Sequence, residues 1–126
     1  MSELYREVLL DHYHNPRNYG VVEPADVDVR MDNPTCGDKI HVTAQLDDAG
    51  RVAEVRFEGH GCVVSMAAAS LLTEEAIGKT VAEIGEMDLH TIEELIGGVR
   101  LSMGRVKCAT LALKALQKGL KDVAQG

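Results

Sequence analysis

The sequence predicts an α+β fold: a three-stranded antiparallel sheet with helices packed on one face. Three observations carry this. Between residues 27 and 58 apolar and polar residues alternate, the period of half-buried strands. From residue 62 onward the period becomes helical and stays so. Strands followed by helices, rather than strands alternating with them, separate the two types into layers. A chain of 126 residues is expected to form one domain, residues 1–126, with a single core.

Each element has its own signal. Residues 2–13 read as an amphipathic helix, with Tyr5, Val8, Leu9 and His12 on one face. Asn15-Pro16 stops it, and residues 17–24 are loop. Val27, Val29 and Met31 alternate with Asp28 and Arg30 in a short strand, and residues 33–38 are dense in turn formers. Ile40, Val42, Ala44 and Leu46 form one face of a second strand. Residues 47–50 turn the chain, and Ala53, Val55 and Phe57 return it. Gly59-His60-Gly61 breaks the strand, and Cys62 opens an Ala-, Met- and Leu-rich helix to Ile77 that Gly78 ends. Thr80 and Glu83 have capping-box spacing for a short helix. A further helix covers residues 89–96. The last, residues 108–123, carries Ala109, Ala112, Leu113, Leu116 and Leu120 on one face.

Composition excludes several functions. Aromatic residues are 3% of the chain, too few for a stacking platform on single-stranded nucleic acid. The net charge of −7 opposes a general phosphate-backbone binder. That charge is uneven. Residues 100–126 hold six basic side chains against Asp122 alone, so +5, and the remainder is −12. The most apolar stretch, Val63 to Leu72, is interrupted by Ser65 and Ser70 and is shorter than the ~20 residues that span a bilayer. The first residues lack a basic segment followed by an apolar one, so no signal peptide is expected. The expectation is a soluble cytoplasmic protein with no nucleic-acid or membrane partner.

The chain has three cysteines, and in a reducing compartment they stay thiols. All three fall at element boundaries: Cys36 in a polar turn, Cys62 at a strand-to-helix junction, Cys108 at the start of the last helix. Two are thus at predicted helix N-termini, where the macrodipole favours a thiolate, and Arg105 and Lys107 beside Cys108 act in the same direction. Their separations of 26 and 46 residues contain no CxxC knuckle, so spacing alone leaves unrelated thiols as the leading interpretation. Asp38 alters this. Gly37 permits a tight bend that turns Cys36 and Asp38 to one centre, and three thiolates with one carboxylate complete a four-coordinate site. Such a site remains negative with a divalent ion bound and attracts the basic segment. A carboxylate is a harder ligand than thiolate and holds an iron–sulfur cluster weakly, which suits a site that gives its cluster away.

Four motifs in order, Asp11-His12-Tyr13-x-Asn15-Pro16-Arg17-Asn18-x-Gly20, Asn33-Pro34-Thr35-Cys36-Gly37-Asp38, Gly59-x-Gly61-Cys62-x-x-Ser65 and Lys107-Cys108, resemble the IscU/SufU/NifU N-terminal family of iron–sulfur cluster assembly scaffold proteins. The resemblance spans nearly the whole chain. It implies the SufE/IscU-like form of the fold derived above. It also implies that Cys36, Asp38, Cys62 and Cys108 hold a transient [2Fe–2S] cluster, or zinc at the same residues, with Asp38 the labilising ligand. The implied partners are a cysteine desulfurase that supplies sulfur and the apo-proteins or carriers that receive the cluster. Cys108, Cys36 and Cys62 are then the candidate persulfide acceptors, Cys108 foremost, in a scaffold rather than an enzyme.

Three departures sharpen the reading. IscU-type members have His immediately before the last cysteine, whereas Lys107 stands here, as in SufU-type members. A protonated Lys cannot ligate, so Asp38 is the expected fourth ligand. The IscU-type chaperone segment Leu-Pro-Pro-Val-Lys is absent, and the 46-residue spacing leaves little room for the insertion of many SufU members. Around the site, Lys107, Arg105 and His60 are expected as supporting neighbours. His41 and His90 are expected in solvent, and His12 and His14 at the end of the first helix are expected to cap it. Ser65 and Ser70 have no placed base, which leaves a hydrolase unsupported. Three functions therefore stand: a cluster scaffold, a zinc-dependent sulfur-transfer protein that activates and accepts persulfide from the desulfurase, and a structural zinc-binding domain.

Overall fold

The computed structural model describes residues 3–34 and 37–125. In chain order the elements are α1 (Glu3–His14), β1 (Val27–Asn33), β2 (Asp38–Leu46), β3 (Val52–His60), α2 (Val63–Ala76), α3 (Val81–Gly85), α4 (Leu89–Leu95) and α5 (Met103–Gln125). The strands form one antiparallel sheet in the order β1-β2-β3. Register places Val29 opposite Val42 and Met31 opposite Ile40, and Val42 opposite Phe57. Because side chains alternate across a strand, these residues share one face, and that face carries the core. Helix α2 packs over β3, α5 over β1 and β2, and α1 lies on the outside of α2. The expected α+β architecture is the observed one.

Helix α2 is surrounded by protein, with Val64 through Ser70 buried without a break. Its small residues make this possible, since Ala67 and Ala69 let neighbouring elements approach closely. The predicted face of α5 is buried in full. The Thr80/Glu83 capping box forms, and Asp88 and Thr91 form a second one on α4.

The structure corrects the sequence reading at three places. Helix α5 begins at Met103, five residues before its expected start. Ser102 O accepts from both Arg105 N–H and Val106 N–H and so opens the helix. Met103, Gly104 and Arg105 are all exposed, so the first turn has no hydrophobic period to read. Cys108 therefore lies in the second turn, and the macrodipole argument made for it at a helix N-terminus does not apply. His41 is buried rather than solvated. Its Nε2 stands 2.7 Å from Asp28 Oδ1 and its Nδ1 3.4 Å from Glu58 Oε1. Alternation puts it on the polar face correctly, but β2 is the central strand, and Asp28 of β1 and Glu58 of β3 flank it.

The third correction is His12. It does not cap α1; it ties α1 to α2. Its Nδ1 lies 2.7 Å from Ser70 Oγ, which also accepts the Arg17 backbone N–H at 2.8 Å. Asn18 extends the connection, with Nδ2 donating to Thr73 Oγ1 at 3.2 Å. The segment then bonds to the edge of β3 through Gly20 N–H and Phe57 O at 2.8 Å, and crosses the polar face, where Val22 N–H donates to Thr43 Oγ1 at 2.9 Å. Among the described residues no helix is long and apolar enough to cross a membrane.

Two predictions arise from this packing. A Cβ at Gly119 of α5 would overlap Val27 Cγ1 and stand 2.8 Å from Val29 Cγ2. Valine is stiff at χ1 and cannot swing aside, so overpacking outweighs the ~1 kcal/mol of helix propensity that Ala brings. Gly119→Ala should therefore lose roughly 1–2 kcal/mol net in urea unfolding. His12 is held below its ordinary histidine value, chiefly by burial and then by Arg17, with Glu74 and Asp11 opposing. A base with a depressed folded value binds fewer protons folded than unfolded. Its stabilising contribution is complete above 6.5 and falls away as pH drops below that towards the folded value. The urea midpoint should fall from pH 7.5 to 5.5, and the His12→Asn variant should show a shallower fall.

Candidate metal centre

The site forms where the first residue of β2 meets the first residues of α2. Asp38 is 1% exposed. Its Oδ1 accepts the Cys62 backbone N–H at 3.0 Å, and its Oδ2 has no hydrogen-bond partner among the described residues. A buried carboxylate oxygen without a donor is costly, and a bound cation would satisfy it.

Cys62 is the N-cap of α2. Its φ and ψ of −70° and 168° are extended, and its Sγ accepts the Ser65 N–H at 3.4 Å. The thiol thus fills the role usually given to a Ser, Thr or Asp side chain at this position. It is exposed and stands at the positive end of a 14-residue helix. Ser65 is buried, and its Oγ donates to Cys62 O at 3.1 Å and lies 3.7 Å from Sγ. Ser65 is no nucleophile; it fixes the loop that presents Cys62. The three-residue spacing from N-cap to Ser65 was the available signal for that part.

Cys108 reaches the same place from α5 and is buried. Asp38, Cys62 and Cys108 each offer a ligand atom, and the three atoms lie within 4.8 Å of one another. Tetrahedral zinc with Zn–S of 2.3 Å needs ligand sulfurs ~3.8 Å apart, so a contraction of at most about 1 Å closes the site. The donor set of two sulfurs and one carboxylate oxygen fits zinc or a thiolate-ligated iron–sulfur cluster. Cys36, the fourth expected ligand, lies outside the described residues. Asn33 and Asp38, which flank its turn, are the last cross-strand pair of β1 and β2.

The expected neighbours come from two elements, α5 and β3. Arg105 and Lys107 are exposed on the first turns of α5. His60 is exposed and pairs in register with Lys39, which sets both on the polar face of the sheet, opposite to Asp38. Sequence reasoning missed the steric role of Gly61. A Cβ there would overlap Ser65 Oγ and stand 2.6 Å from Asp38 Oδ1. Glycine is required because carboxylate and serine crowd the backbone from the same side.

The sequence model of the NifU-like N-terminal domain matches residues 4–125. The chain belongs to this family. The zinc-dependent sulfurtransferase SufU of Bacillus subtilis is 43% identical to it over 137 aligned positions, which cover 95% of this chain and 91% of the relative. That alignment is longer than the present chain, so the relative carries extra residues within the matched region. An iron–sulfur cluster assembly scaffold protein IscU of Archaeoglobus fulgidus is 34% identical, covering 94% of this chain and 76% of the relative. In fold, the crystal structure of the N-terminal part of a nitrogen-fixing NifU-like protein from Brucella abortus superposes with a TM-score of 0.83 at 17% identity, covering 97% and 95% of the two chains.

Gly61→Ala should disturb Asp38 and Cys62 together. The expected result is at least a tenfold loss of zinc affinity in chelator competition, with a far-UV spectrum like that of the wild type.

Proposed function

We propose that this protein is an iron–sulfur cluster assembly scaffold that takes sulfur from a cysteine desulfurase at Cys36, Asp38, Cys62 and Cys108. The observation that carries the reading is the buried Asp38 carboxylate, half bonded to the Cys62 amide and half without a donor among the described residues, within 4.8 Å of two cysteine sulfurs. Three soft ligands and one hard one hold a cluster unequally, and the hard ligand is the natural point of release. The chain's part in sulfur transfer is that of an acceptor. A site thiolate attacks the outer sulfur of the donor's persulfide, a new S–S bond forms, and the donor leaves as a thiolate, with no net oxidation. The cluster is cargo, passed to apo-proteins or carriers, and the protein works in the cytoplasm, where its thiols stay reduced.

A second reading, zinc-dependent sulfur transfer, is favoured by two particulars. Lys107 leaves the position before Cys108 without a ligating side chain, and the similarity to a zinc-dependent sulfurtransferase runs at 43% identity. In this reading zinc occupies the same four residues, and one thiol leaves the metal to accept sulfur.

The two readings part in one set of measurements. Metal-stripped protein incubated without oxygen with ferrous iron, cysteine, a cysteine desulfurase and a thiol reductant that converts persulfide sulfur to sulfide should develop a visible cluster chromophore, with about two irons and two sulfides per cluster. No chromophore would reject the scaffold. In that case desulfurase turnover that rises with the zinc-loaded protein, and falls with its Cys36→Ala variant, establishes sulfur transfer instead.

A further inference from the structure

A second buried polar group lies beside Asp38. Asn33 closes β1, is 7% exposed, and its Nδ2 has no hydrogen-bond partner among the described residues. Asn33 and Asp38 face each other across the strand pair, so both side chains leave the same face of the sheet with Cβ atoms about 5 Å apart. One carries an unused donor and the other an unused acceptor. They are complementary and adjacent, yet they do not bond each other. Among the described residues these two atoms are the only buried side-chain nitrogen or oxygen atoms without a partner. Each such group carries an uncompensated desolvation cost, and both costs fall at the one place where two cysteine sulfurs converge.

A bare cation would satisfy only half of this. It would take Asp38 Oδ2, and the Asn33 amide needs an anionic sulfur besides, which a cysteine supplies once it binds the ion as thiolate. A metal ion that carries anionic sulfur satisfies both: the carboxylate oxygen turns to the cation, and the amide N–H turns to the sulfur. We propose that Asn33 is a positioning residue of the metal centre, its carboxamide donating an N–H···S hydrogen bond to metal-bound sulfur beside Asp38. The inference rests on the metal-site reading above and adds to it a neutral hydrogen-bond donor to a ligand sulfur. A neutral amide suits a transient site. It stabilises negative sulfur without the permanent charge that Lys or Arg would bring.

The test uses the full chain with zinc and with cobalt as probes. Asn33→Leu keeps the volume and removes the donor. Its zinc affinity in chelator competition should fall about 10–100-fold, the usual effect of removing a hydrogen bond to a ligand. In the cobalt form the sulfur-to-metal charge-transfer band should move to lower energy, because sulfur lone pairs are no longer held down by the N–H. A purely structural role would lower the melting temperature and leave the band where it is, which overturns the proposal, as does wild-type affinity in a folded Asn33→Leu protein. If that variant fails to fold, Asn33→Ser carries the same comparison, since its hydroxyl is too short to reach the sulfur. A wild-type protein that binds neither zinc nor cobalt overturns the metal reading itself, and that failure is distinct from a variant that behaves as wild type.

Discussion

The hydrogen bond from the Cys62 backbone N–H to Asp38 Oδ1, 3.0 Å long, joins the two halves of the fold. Asp38 begins the central strand, and Cys62 begins the central helix. A single charge-assisted contact therefore sets where β2 starts relative to α2. It also holds the carboxylate against the helix end, where the positive dipole supports it. Everything that makes the centre usable depends on this register. Ser65 can grip Cys62 only if α2 starts at Val63, and Gly61 is forced only because the carboxylate is drawn in so closely. The apolar core provides the bulk of the folding energy, but it would tolerate a small slide of α2 along β3. The polar contact would not.

Much of this was legible in the sequence. The alternation over residues 27–58 gives the three strands and their apolar face. The i, i+3, i+4 pattern of Ala109, Ala112, Leu113, Leu116 and Leu120 gives the buried side of α5. The Cys62 junction and the Thr80 cap are local signals, written in a few adjacent residues, and local signals survive translation into structure well. The convergence of Asp38, Cys62 and Cys108 was suggested by residue chemistry and by family resemblance, and the geometry of the three is what the fold supplies.

What escaped was set by neighbours far along the chain. His41 has the pattern of a solvated residue, and only the strand order shows that Asp28 and Glu58 stand on either side of it. His12 and Ser70 are separated by 58 positions, and no periodicity links them. The early start of α5 is missed because a helix turn that touches nothing leaves no hydrophobic trace. Gly119 looks like a defect in a helical run until Val27 and Val29 are seen beneath it. In each case the information is in the packing of two elements, not in either one.

Strand β1 has a consequence for the life of the protein in a crowded cell. It lies at the border of the sheet, paired on one side only by β2. An unsatisfied strand border invites a second chain to extend the sheet, and three cysteines could then turn a passing encounter into a permanent covalent one. Asp28, Arg30 and Asp32 punctuate β1 on its solvent side, and charges of mixed sign on a seven-residue border discourage such stacking. The charges at alternate positions of β1 thereby disfavour extension of the sheet along this border.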